Sequence, residues 1–121
     1  MTRPTRHRRP ADPHAARTAW RREVTESRLA PDPGDRWRKL ERAHILSQPF
    51  PVLHARTHLA MLRHGIQHRD LREVRGQLIR LAVAAPGSLT GRYPLGNTGG
   101  ANVGALAPMP VPDDLAEVLS P

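Results

Sequence analysis

The chain has 121 residues, enough for one domain with one modest hydrophobic core. Its formal net charge is +8 and it has no cysteine, which excludes disulfides and thiolate metal sites. Its apolar runs, such as Leu81–Pro86, are too short to cross a bilayer, and no apolar stretch follows the basic N-terminus, so the reading is a cytoplasmic protein without a membrane partner.

Residues 1–12 carry Arg3, Arg6, Arg8 and Arg9 with Pro4 and Pro10, and show no hydrophobic period. They are predicted to form a disordered basic arm. No aromatic residue interleaves with the arginines, so the arm reads as a solubilising tail; contact with a polyanion is the sharper alternative.

A single helical domain is predicted over 13–119. The first helix spans about 14–29, opened by Asp12-Pro13, with Ala16, Ala19, Trp20 and Val24 as its apolar face. The second spans about 35–48 after the breaker Ala30-Pro31-Asp32-Pro33-Gly34, with Trp37, Leu40 and His44 on one stripe. Pro49-Phe50-Pro51 forces a turn into the third, about 52–68. There Val52, Ala55, Leu59, Leu62 and Ile66 form the expected core stripe, and His54, His58 and Met61 a neighbouring one. The fourth, about 70–85, has Leu71, Val74, Leu78 and Leu81 in line, widened by Ile79 and Ala82; its Gly76 points to close helix packing. The second and fourth helices are alike at the tetratricopeptide period, so the fold is all-α: two antiparallel hairpins, repeat-like or closed as a four-helix bundle.

Beyond Pro86 the density of Gly and Pro rules out a helix. Residues 86–112 are predicted as an extended strap, because Leu89, Tyr93, Leu95, Val103, Leu106, Met109 and Val111 recur through it. Asn97 and Asn102 are expected to bond helix-end backbone groups, and a short helix to close the chain over 113–119.

Three stretches resemble a known family: Leu40-Glu41-Arg42-Ala43-His44-Ile45-Leu46-Ser47-Gln48; His54-Ala55-Arg56-Thr57-His58 with Met61-Leu62; and Gly96-Asn97-Thr98-Gly99-Gly100-Ala101-Asn102-Val103 with Pro108-Met109-Pro110. The likeness, over roughly 13–119, is to the bacterial domain-of-unknown-function family 3703. It implies a single-domain bacterial protein with these histidines as family motif, and it names no ligand. The basic arm is longer and richer in arginine than the family leads one to expect.

The chemistry lies in the histidines. Glu41-x-x-His44 and His54-x-x-x-His58 each span one helical turn, on either side of the turn centred near Phe50. In an antiparallel hairpin, residues equally far from that centre lie side by side. Glu41, His44, His54 and His58 then form a candidate site for Zn, Ni, Cu or Fe. Neither a second Glu-x-x-His nor an HExxH motif is present, which excludes a di-iron carboxylate site and a zincin. The leading reading is non-enzymatic metal binding or homeostasis. The alternative is a helical-repeat adaptor that binds a protein or nucleic acid through Arg56, Arg63, Arg69, Arg72, Arg75 and Arg80.

Overall fold

A computed structural model describes residues 6–121. The elements are α1 (Pro13–Leu29), α2 (Pro33–Ser47), α3 (Pro51–Gln67), α4 (Leu71–Thr90) and α5 (Asp113–Leu119). Three of them begin on an aspartate cap. The Asp12 side chain accepts from Ala15 N–H, Asp32 from Asp35 N–H and Asp70 from Glu73 N–H, each satisfying a backbone donor that the first turn leaves free. Proline at the first position of α1, α2 and α3 removes one such donor and fixes φ for the helix.

Helices follow one another in space as in sequence: α1 packs on α2, α2 on α3 and α3 on α4, while α5 returns across α1 and α2. Among the described residues the backbones of α1 and α4 do not come together, so the two hairpins are arranged as a stack. Trp20, Ala43, Ile45, Leu46 and Leu115 make the apolar core, under α5. Across the stack, Trp20 Nε1–H donates to Thr57 Oγ1 at 2.8 Å, tying α1 to α3.

Four features differ from expectation. First, α4 runs through Pro86 to Thr90 before Gly91 ends it at φ 69°. Proline withholds one N–H from the ladder, but Pro86 and Ala82, whose carbonyl loses its partner, are both exposed, which leaves that oxygen open to solvent.

Second, the apolar stripes of α3 and α4 are only partly interior, with Ala55, Leu62, Val74 and Leu81 half-buried. Val52, Ile66, Leu71, Leu78 and Ile79 are exposed, whereas His54, Thr57, His58, Met61, Glu73, Gln77 and Ser88 are buried. The interface between these helices is polar, and the hydrogen bonds described below compensate its burial.

Third, the strap is only partly interior. Tyr93, Gly96, Asn97, Gly99 and Gly100 are buried, but Leu106 and most of the following residues are exposed, and Leu89 sits exposed on α4. A Cβ on Gly76 would stand 2.7 Å from Ala101 Cβ, so this glycine admits the strap and not a neighbouring helix.

Fourth, the predicted disordered arm is docked from Arg6 onward, residues 1–5 lying outside the described residues. Arg6 bridges to Arg92, His7 N–H donates to Gly91 O at 2.7 Å, and the His7 and Tyr93 rings lie 5.0 Å apart.

Candidate metal centre

Ser47, Gln48, Pro49 and Phe50 turn the chain from α2 into α3. His44 lies one turn before the end of α2, and His54 and His58 lie on the first two turns of α3. The hairpin directs all three imidazoles inward, where the exposures of His44, His54 and His58 are 2%, 6% and 3%. Their Nε2 atoms form a near-equilateral triangle: His44–His54 3.0 Å, His44–His58 3.1 Å, His54–His58 3.2 Å.

The other ring nitrogens decide where the protons are. His44 Nδ1 lies 2.6 Å from Asn97 O, a carbonyl that can only accept, so Nδ1 carries the hydrogen. His54 Nδ1 lies 2.9 Å from Ser88 Oγ, whose single hydrogen goes to Gln48 O at 2.6 Å. Ser88 therefore accepts, and His54 Nδ1 is a donor as well. His58 Nδ1 lies 2.6 Å from Gln77 Oε1. The Gln77 amide nitrogen donates to Glu73 Oε1 at 2.6 Å and to Gly99 O at 2.8 Å, which fixes Oε1 toward His58.

A neutral imidazole protonated on Nδ1 has a bare lone pair on Nε2. Three bare lone pairs thus face one another at hydrogen-bond distance with no hydrogen among them. A proton is a poor occupant. Burial pushes His44 well below the ordinary histidine value and His54 down to about 3, each with further repulsion from neighbouring imidazoles. Burial likewise takes His58 to about 4, against the opposing pull of Gln77.

A metal cation fits. Bonds of 2.0–2.1 Å in a regular tetrahedron place nitrogen ligands about 3.3–3.4 Å apart. The spacing of 3.0–3.2 Å needs only a few tenths of an ångström of adjustment. The Nδ1–H bonds are the outer contacts that orient metal-bound histidines.

The group whose ligand atoms lie within 4.8 Å of one another contains His44, His54 and His58 but not Glu41. Glu41 is half-buried nearby. Burial raises its carboxyl above the ordinary value, partly offset by the Arg38 guanidinium.

The strap completes the site. Gly99, at φ 87°, lies so close that a Cβ there would stand 2.6 Å from the His44 ring. Asn97 is held by its side chain, which donates to Gly104 O and Ala107 O at 2.8 Å each and accepts from Gly99 N–H at 2.8 Å. It therefore binds strap carbonyls and positions its own carbonyl for His44; the expected bonds to helix ends are not made, and Asn102 is exposed. Sequence reasoning missed Ser88, Gln77 and Glu73. A signal was present in Glu73-x-x-x-Gln77, two polar groups one turn apart on α4.

The three imidazoles line a cavity of about 330 Å³. Arg80, Arg92, Val83, Pro86, Tyr93 and Leu106 also border it, and no described lining residue is a carboxylate. Arg80, counted at first with the basic face, turns instead onto Gly76 O and Val103 O at 3.1 and 3.0 Å. Arg56, Arg63, Arg69, Arg72 and Arg75 are exposed. No helix among the described residues is long and apolar enough to cross a membrane.

Residues 14–119 match the family model described as "Protein of unknown function (DUF3703)", in agreement with the resemblance drawn from the motifs. No curated protein and no solved structure matches the chain.

Proposed function

We propose that this chain, which belongs to the DUF3703 family, is a metal-binding protein that holds one divalent transition ion on His44, His54 and His58. One observation carries the reading: three Nε2 lone pairs converge within 3.2 Å while every Nδ1 hydrogen is engaged elsewhere. Such a buried cluster of acceptors is repulsive until a cation occupies it. Imidazole nitrogen suits Zn, Ni, Cu and Fe, and the lack of thiolate or carboxylate in the triangle disfavours both softer and harder ions.

The reading is binding and homeostasis. Among the described residues the cavity lining offers no carboxylate as a general base, and burial pushes the Tyr93 phenol up to about 12. The adaptor reading retains the exposed arginines of α3 and α4, but it does not account for the histidine triangle.

Metal content tests the proposal. Protein prepared without a histidine tag, exposed separately to Zn²⁺, Ni²⁺, Cu²⁺ and Fe²⁺ and then desalted, is expected to retain about one equivalent of at least one of them. His58→Ala is expected to retain none. Failure to retain any of the four ions overturns the proposal.

A further inference from the structure

The three histidines occupy one end of the cavity, and what the other walls offer narrows the choice of a further ligand. This inference rests on the metal reading above. Three neutral imidazoles leave the charge of a divalent ion uncompensated, and a three-histidine set leaves a coordination position for an exogenous ligand. The same cavity is bordered by the guanidinium groups of Arg80 and Arg92. Bonds to Gly76 O and Val103 O anchor Arg80, so its charge is fixed at the wall. The carboxylate of α4, Glu73, does not line the cavity and is engaged by Ala101 N–H and Gln77. The rest of the wall carries the apolar side chains of Val83, Pro86, Tyr93 and Leu106, with the polar Gln48, Thr90 and Asn97 between them.

We propose that the cavity binds a small organic carboxylate, its anionic head between the metal and Arg80 and its apolar body against Val83, Tyr93 and Leu106. The charge balance favours an anion, and the apolar side chains of the wall favour one with a hydrocarbon body over inorganic phosphate. The cavity volume of about 330 Å³ leaves ample room for a ligand of the size of benzoate or hexanoate.

The test uses the full chain loaded with Co²⁺, whose visible absorption reports its ligands, with cobalt content measured on the same sample. Benzoate and hexanoate are expected to shift the spectrum saturably and to bind at least about tenfold tighter than acetate or inorganic phosphate. Hexanol should have no effect. Arg80→Gln should weaken benzoate by about tenfold or more without changing cobalt content. Because Arg80 also holds Val103, Leu106→Asp serves as the second variant. Leu106 is largely exposed, so the change should leave the fold intact and weaken benzoate by placing a carboxylate at the wall.

A sample that retains cobalt but shows no benzoate-dependent shift overturns the carboxylate proposal and leaves the metal reading standing. Phosphate binding as tightly as benzoate, or an unchanged benzoate affinity in both variants, also overturns it. A sample that retains no cobalt overturns the carboxylate proposal as stated, and the separate metal-content measurement then decides whether the metal reading falls with it.

Discussion

The Nε2 atoms of His44 and His58 stand 3.1 Å apart with no hydrogen between them. Each ring has its single proton on the far side, given to Asn97 O and Gln77 Oε1 respectively. Two acceptors at that distance repel each other, and the fold holds them there with bonds from the strap and from α4.

Metal should stabilise the protein. An ion at a hundred times its dissociation constant adds about 2.7 kcal/mol to unfolding, because the unfolded chain does not assemble the triangle. Thermal melting with and without Zn²⁺ should show this gain in the native protein and not in His58→Ala. Equal melting temperatures at saturating metal would contradict it.

The metal-free protein should weaken in acid. The folded-state pKa values of His44, His54 and His58 are depressed, to about 3 for His54 and about 4 for His58. Between the ordinary value near 6.5 and those values the unfolded chain takes up protons that the folded chain refuses. Stability is therefore fully present above about pH 6.5 and falls as pH drops, by up to about 1.4 kcal/mol per pH unit for each histidine. Glu41, whose carboxyl is raised by burial, works in the opposite sense, but it is one group against three. Urea denaturation at pH 7 and pH 5 measures the difference; equal stability would mean the imidazoles are not held neutral.

Gln77 should matter for metal as well as for folding. Gln77→Ala frees the His58 Nδ1–H and the fixed orientation of that ring. Loss of such an outer contact typically weakens metal affinity by about 10–100-fold. Competition with a coloured chelator gives the affinity, and circular dichroism should show the helices retained.

Gly99→Ala should damage the site from the strap side. The new Cβ would meet the His44 ring at 2.6 Å, at a backbone φ of 87° that suits glycine. Strain of this kind costs about 1–3 kcal/mol. A lower melting temperature together with weaker metal binding is expected, and an unchanged affinity would show that the strap does not determine the position of His44.

The hairpins and the meeting of His44 with His54 and His58 were legible in the sequence because both follow from local rules. Asp-Pro caps start helices, Pro49 and Pro51 bracket a turn, and equal distance from that turn sets neighbours across it. Glu41 satisfied the same counting, yet the group of close ligand atoms does not contain it; spacing fixes the level of a residue along a helix more firmly than its direction around it.

What could not be read depends on distant partners. His54 bonds Ser88 only because α4 continues past Pro86, and His44 bonds a backbone carbonyl of the strap, which no side-chain pattern records. The partly outward apolar stripes of α3 and α4 have the same origin. Hydrophobic periodicity assumes an apolar interior, and here the buried face is a hydrogen-bonded polar one.

The most direct measurement is X-ray absorption on the Zn²⁺-loaded protein, made without a tag. The account predicts three imidazole nitrogens at about 2.0–2.1 Å, completed by a non-protein oxygen ligand, and loss of that signature in His44→Ala. A first shell with fewer than three imidazoles, or a zinc signal unaffected by His44→Ala, would contradict it.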